Sequence, residues 1–243
     1  MRGAIPSDVL SLAATSAVIF GGDVNLSTEP EGLKIRSTNQ ARIGWVDISL
    51  SAAAFEFYQA QSLATALNLD TVVALLALID DDPPLRMRID DEHQTFNLQA
   101  TDLSYTSNLL DPGTVPEVFT TSDVERPAKI MLTGETMDLP LTLANLCSSR
   151  VTLGVDATDA IVYGIADDFD DTFHVELTHE DLIRLHPADV QSDFPLDKLL
   201  NIQRAIPSDA TVTLALGTDV SAEIQYPIAN GHGSIQFTLL NSI

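Results

Sequence analysis

Five histidines, one cysteine and 35 carboxylates are the residues of this 243-residue chain whose types could carry chemistry. His93, His174, His179, His186 and His232 form no pair at zinc spacing with one another or with Cys147. His174 and His179 lie near Glu176 and Glu180 on a strand and the turn after it, a poor cradle for a metal. Asp80-Asp81-Asp82 and Asp167-Asp168-Phe169-Asp170-Asp171 lack the glycine and glutamate positions of a calcium loop and read as solvated acidic turns. Cys147 ends an apolar helix and reads as core rather than nucleophile. No Gly-x-Ser-x-Gly, phosphate-binding loop or dinucleotide fingerprint occurs. These residues point to no catalysis, no metal and no cofactor.

The charge is the strongest compositional signal. Twelve basic residues face 35 acidic ones, for a net −23, and only Lys34, Lys129 and Lys198 are lysines. Such a surface repels itself at low salt. Near 1 M ionic strength screening shortens that repulsion to about 3 Å. Acids spread along the whole chain, rich in Asp and poor in Lys, read as adaptation to a salt-rich cytoplasm; a basic partner is the rival reading. No run of about 18 apolar residues exists to span a membrane, and the N-terminus does not read as a signal peptide.

The elements that would position any site follow from periodicity. Ser7 or Asp8 starts a helix to about Phe20, closed by Gly21-Gly22. Strands are expected at Asp23–Thr28, Gly32–Ser37, Arg42–Ala53 and Phe55–Gln61. Leu67-Asn68-Leu69-Asp70 opens a second helix to Ile79, followed by strands at Leu85–Ile89, Gln94–Gln99 and Leu103–Leu110. After the proline-rich stretch Leu109–Lys129 the order restarts. A strand at Ala128–Thr133, a helix over about Thr136–Cys147 and strands at Arg150–Asp156, Ala160–Ala166 and Thr172–Leu177 come first. A helix at Leu196–Ala205 and strands at Thr211–Leu216, Ala222–Ile228 and Ser234–Leu240 close the chain.

The restart is a repeat in residues as well as in order. Leu67-Asn68-Leu69-Asp70 aligns with Phe194-Pro195-Leu196-Asp197, and the same register carries Ile79 onto Ile206 and Leu85, Met87 and Ile89 onto Val212, Leu214 and Leu216. Leu109-Leu110-Asp111 pairs with Leu239-Leu240-Asn241. The chain is therefore divided into a first domain at 1–112, a connector at 113–127 and a second domain at 128–243. Pro112, Pro116 and Pro127 block regular ladders in the connector, yet Val115, Val118, Phe119 and Val124 are apolar.

The order of elements resembles the DNA sliding clamps of the proliferating cell nuclear antigen (PCNA) family over essentially the whole chain. The segments that carry the resemblance are Glu31-Gly32-Leu33-Lys34-Ile35, Leu103-Ser104-Tyr105 with Leu110-Asp111-Pro112, Asp209-Ala210-Thr211-Val212-Thr213-Leu214, and the closing run from Tyr226-Pro227-Ile228 through Phe237-Thr238-Leu239. The Asp-rich, Lys-poor composition places it with the haloarchaeal branch, cellular or viral. The resemblance implies an α+β clamp fold: two duplicated domains, each of two strand-helix-three-strand units, in a head-to-tail homotrimer whose helices line a pore for duplex DNA. It implies no enzyme activity and no cofactor. It implies processivity for a DNA polymerase, with clamp loader, flap nuclease and ligase docking through short hydrophobic or aromatic motifs.

Carried over residue by residue, the subunit contact uses Leu103, Tyr105, Ser107 and Leu109 against the neighbour's Phe173, Val175 and Leu177. The partner groove uses Thr38, Ile43 and Trp45, connector residues Val118, Phe119 and Val124, and the C-terminal Thr238, Leu239, Leu240 and Ile243. Of the basic residues such pores carry, only Arg204 keeps its place, with Lys198 nearby; Ala74, Ala77, Leu139 and Thr142 stand at other matching positions. Phosphate contacts weaken with salt, so the expectation is a clamp that holds DNA by topology, with cations bridging. Leu240-Asn241 replaces the family's Ala-Pro, and no acidic tail follows Ile243 in this sequence. The alternatives are a subunit of a heteromeric or checkpoint-type clamp and, from another class, an Asp-rich metal-dependent hydrolase or a non-DNA scaffold.

Overall fold

The computed structural model describes residues 1–79, 84–117, 124–146, 148–156, 160–165 and 172–242. The chain divides into two units, Met1–Val118 with Pro227–Ile235 and Phe119–Tyr226 with Gln236–Ile243.

In unit 1, short alternating segments build two antiparallel sheets. In chain order the elements are β1 (Arg2–Ile5), α1 (Ser7–Ala17), β2 (Asp23–Glu29), β3 (Gly32–Thr38), β4 (Gly44–Ser51), β5 (Phe57–Gln59), β6 (Leu63–Asn68), α2 (Asp70–Leu76), β7 (Leu85–Asp90), β8 (Thr95–Gln99) and β9 (Ser104–Asn108). One sheet runs β5-β1-β7-β8-β9; the other contains β6-β2-β3-β4 in that order. Period-two alternation sends Leu33, Ile35, Ile48, Leu50, Leu85, Ile89, Phe96 and Leu98 into the core. Helix α1 buries Val9, Leu10, Ala13, Ala14 and Ala17, lies against β3 and β4 and packs beside α2. A Cβ on Gly32 would lie 2.1 Å from the Leu50 carbonyl oxygen, so the β2–β3 turn passes too close to β4 for any side chain.

Unit 2 repeats the plan. It contains β10 (Ala128–Thr133), α3 (Gly134–Ala144), β11 (Arg150–Val155), β12 (Ala160–Ile165), β13 (Thr172–Leu177), β14 (Arg184–His186), β15 (Val190–Pro195), α4 (Leu196–Arg204) and β16 (Thr211–Leu216). β17 (Ala222–Ile228) and β18 (Gly233–Leu239) complete it, apart from their residues Pro227–Ile235. The strand orders are β14-β10-β16-β17-β18 and β13-β12-β11-β15. The Thr133 hydroxyl accepts the Thr136 N–H at 3.2 Å and caps α3. Helices α3 and α4 pack together. The Tyr226 hydroxyl donates to the Ala205 carbonyl at 3.1 Å, satisfying a group at the end of α4 that would otherwise be buried without a partner.

The structure corrects four local readings. Arg2–Ile5, to which periodicity assigns no element, is a strand. Leu67 and Asn68 end β6, so the second helix begins only at Asp70, whose N–H is accepted by the Asn68 side chain at 3.1 Å. The strands β14 and β15 were not expected from periodicity. The long strand placed at Arg42–Ala53 is Gly44–Ser51, followed by a single turn at Ala52–Ala54.

Tyr58 joins β5 to the β2–β3 turn, its hydroxyl lying 2.9 Å from the Glu29 oxygen and 2.6 Å from that of Gly32. Burial pushes its pKa up to about 12, against the opposing pull of the Glu29 hydrogen bond. A proton held more tightly by the folded state stabilises the fold fully below pH ~10, the unfolded value, and that stability is lost as pH rises toward 12. The urea midpoint is expected to fall between pH 10 and 12, and Tyr58→Phe is expected to flatten that fall.

Candidate nucleic-acid interface and subunit edges

The helix faces decide what a polyanion would meet. On α1 and α2 the exposed positions are Asp8, Thr15, Asp70, Thr71 and Ala74, with Ala77 just after α2; none is basic. On α3 they are Glu135, Asp138, Leu139 and Thr142, with Leu139 62% exposed. On α4 only Arg204 is an exposed cation; its guanidinium lies 3.4 Å from the Asn201 side-chain oxygen. The Lys198 ammonium is 2.9 Å from the Asp197 carboxylate and half-buried. The two residues expected to face DNA thus lie on one helix, and one of them is already neutralised.

The strands named for the subunit contact both end sheets: β9 ends one sheet of unit 1 and β13 one sheet of unit 2, as β5, β6, β14 and β15 end theirs. The register of β9 is set by the Leu109 N–H donating to the Gln94 carbonyl and the Ala100 N–H donating to the Leu103 carbonyl, both at 2.9 Å. Antiparallel pairs alternate, so Leu103, Tyr105, Ser107 and Leu109 turn their backbone groups toward β8. Ser104, Thr106 and Asn108 therefore point theirs outward. The Ser107 hydroxyl is buried without a hydrogen-bond partner. Sequence reasoning named the inward-bonded residues; the free donors lie on the three between them. Val175 is half-buried and Leu177 buried on β13, and the Phe173 side chain lies outside the described residues.

The residues expected to form a partner groove divide sharply by exposure. Thr38, Trp45, Thr238 and Leu239 are buried at 4% or less. Ile43 and Val124 are half-buried, and Leu240 is exposed. Val118, Phe119 and Ile243 lie outside the described residues, as do Cys147, Asp80–Asp82 and Asp167–Asp171. Among the described residues no group of three His, Cys, Asp or Glu side chains could hold a metal ion, and no helix is long and apolar enough to cross a membrane.

Sequence reasoning also passed over Arg126. Its side chain is 6% exposed and makes an ion pair with Glu223 at 2.9 Å, while donating to the Ser221 carbonyl and hydroxyl at 2.7 Å each. Burial draws its pKa below the ordinary arginine value, with Glu223 pulling the other way. The end of the connector is thereby fastened to the start of β17. Hydrogen bonds to a charged group contribute more than neutral ones, so Arg126→Ala is expected to cost about 2–3 kcal/mol in urea unfolding. Arg126→Lys, without the planar fork, is expected to recover less than half of that.

No family model matches the chain. A curated protein of Haloarcula marismortui described as a DNA polymerase sliding clamp is 32% identical over 97% of this chain and 95% of its own length. The chain belongs to the DNA polymerase sliding clamp family. A sliding clamp of Natronomonas pharaonis is 31% identical over 98% of this chain and 96% of its own. Among solved structures, the A. fulgidus PCNA bound to the C-terminal region of FEN-1 superposes with a TM-score of 0.91 at 18% identity, covering 100% of this chain and 98% of that one. The PCNA2–PCNA3 complex of Sulfolobus tokodaii superposes with a TM-score of 0.84 at 22% identity, covering 99% of both chains. The α+β clamp fold is therefore shared, and the repeat read from residues matches a duplication of strand orders: β5-β1-β7-β8-β9 corresponds to β14-β10-β16-β17-β18.

Proposed function

We propose that this clamp is a DNA polymerase processivity factor: a non-catalytic homotrimeric ring that encircles duplex DNA in the salt-rich cytoplasm of an archaeal cell. The observation that carries the reading is near-full-length relation to DNA polymerase sliding clamps at 32% identity. The unlike open edges β9 and β13 support head-to-tail closure, since a heterologous contact that closes by rotation makes a ring. Domains at 1–112 and 128–243 with a connector at 113–127 remain the proposed division. Partner motifs from polymerase, clamp loader, flap nuclease and ligase are taken up beneath the connector by the groove residues named from the resemblance. Of these, Ile43 and Val124 are half-buried and Leu240 is exposed, which leaves their side chains accessible to such a motif.

Direct DNA contact is weak in this reading, because Lys198 and Arg204 are set among acidic helix positions. Light scattering in 2 M KCl tests the ring: a mass about three times that of the chain is expected. Primer extension by a haloarchaeal polymerase tests the function, with longer products expected when the clamp is loaded. A monomer that leaves product length unchanged overturns the proposal. The A. fulgidus structure, described with the C-terminal region of FEN-1, supports nuclease recruitment as the partner class to test first. A ring formed only after mixing with a second clamp chain would favour the heteromeric reading.

A further inference from the structure

In both units the strand that opens the repeat lies between the same two neighbours, in the same register. Arg2 faces Gln59 and Ala4 faces Phe57; 127 positions later Lys129 faces His186 and Met131 faces Arg184. On the other side Arg2 faces Arg88 and Ala4 faces Arg86, while Lys129 faces Ala215 and Met131 faces Thr213. A hollow opens at this place in each unit, of about 620 Å³ in unit 1 and about 450 Å³ in unit 2. Arg2, Arg86 and Arg88 line the first; Arg126, Lys129 and Arg184 line the second, with His186. Six of the chain's 12 basic residues thus gather at two equivalent positions in a protein of net charge −23.

This arrangement is costly to the fold alone. Arg2 and Arg88 are directly opposed like charges, which destabilise a strand pair. Among the described residues Arg2 and Arg86 have no ion-pair partner. Burial, then Arg2 and Arg88, lowers the pKa of the Met1 amino group, with Asp90 and Asp91 pulling the other way.

We propose that each hollow docks an acidic segment of a partner protein, its carboxylates held by these cations and an apolar side chain of the same face seated beside them. Arg86 and Arg88 are two residues apart on β7, about 6.8 Å, the spacing of alternate side chains on an extended peptide. The apolar seat is Ala4 with Phe57, which is 54% exposed, in unit 1 and Met131 in unit 2. A phosphate backbone has nothing to place in such a seat. Arg88 and Arg126 are already paired with Asp90 and Glu223, so Arg2 and Arg86 in unit 1 and Lys129 and Arg184 in unit 2 are the principal cations offered to the segment. In salt near 1 M the net charge of the clamp no longer repels an acidic partner at a distance, leaving the contact pairs and the apolar seat to select it.

The test uses a fluorescein-labelled peptide carrying aspartate, aspartate and phenylalanine at alternate positions with serine between them, so that all three share one face when extended, titrated by anisotropy into the protein at 1 M KCl. Two peptides per chain are expected. The triple variant Arg2→Gln, Arg86→Gln, Arg88→Gln is expected to bind one, as is the double variant Lys129→Gln, Arg184→Gln. Phe57→Ala is expected to weaken the unit 1 site about fivefold. A matched asparagine peptide is expected to bind at least tenfold more weakly. Methyl shifts at Ala4 and Met131 of the unsubstituted protein locate the peptide without any variant. Equal binding of the two peptides, methyl shifts only elsewhere, or an oligothymidylate that occupies the hollows as well as the peptide does would each overturn the assignment.

Discussion

Thr106→Pro is expected to convert the assembled protein to monomers while unit 1 stays folded. The residue lies on β9, the last strand of its sheet, and its N–H points away from β8. Proline removes that outward donor and sets its ring against an incoming strand, but leaves the bonds of Tyr105 and Ser107 to β8 in place. Within the unit the loss is the hydroxyl bond to the Asn97 side chain at 2.7 Å, about 1 kcal/mol. Between subunits the acceptor left without its donor costs about 1–3 kcal/mol, before the steric effect of the ring, and that cost raises the dissociation constant by roughly 5- to 150-fold. Thr106→Val removes the hydroxyl and keeps the N–H, so it is expected to remain assembled. Light scattering at 2 M KCl across a concentration series separates the two. An unchanged mass for the proline variant would mean that β9 is not the edge in use.

The second large effect comes from restoring positive charge to the helices. Ala74→Lys, Ala77→Lys, Leu139→Lys and Thr142→Lys alter exposed positions, so folding should tolerate all four together. Each lysine that reaches a phosphate steepens the fall of log affinity against log salt by about 0.9, or roughly 3.6 for four. Between 0.5 and 2 M KCl that slope corresponds to a loss of about 100-fold. The unsubstituted protein, with Lys198 held by Asp197 and Arg204 the helix cation without a carboxylate beside it, is expected to show a slope near 1 per chain on linear duplex. If the quadruple variant shows the same slope as the parent, these helix faces do not look toward DNA.

Much of the fold was legible because it is written in short-range alternation. The bounds of Ala128–Thr133, Thr172–Leu177, Thr211–Leu216 and Ala222–Ile228 read from periodicity coincide with the structure. What escaped depends on contacts distant in sequence. β1 has four residues, one of them glycine, directly before a strong helix start; it is a strand because β5 and β7, more than 50 residues away, pair with it. β6 and α2 form one apolar run from Leu63 to Leu76, and only Asn68 marks the break. The repeat could have found it, since Leu63–Asn68 moves onto Val190–Pro195 at the shift already visible between Leu67 and Phe194. At the candidate site, the missing cations at Ala74, Ala77, Leu139 and Thr142 were plain in the sequence. The gathering of Arg2 with Arg86 and Arg88 was not, because only strand register brings them together.

The edges β9 and β13 also set a rule of stoichiometric poisoning. Each chain offers one β9 and one β13, and the two belong to different sheets. A chain with a blocked β9 still presents an intact β13, so it can accept one neighbour but cannot pass the contact on. In the proposed ring it acts as a chain stopper. One such subunit leaves a permanent gap, and the remaining members end as an open arc. Mixed with the parent in a one-to-one ratio, Thr106→Pro would therefore remove far more than half of the closed rings. A cell carrying both versions would be impaired by the product of the altered copy rather than by loss of the normal one.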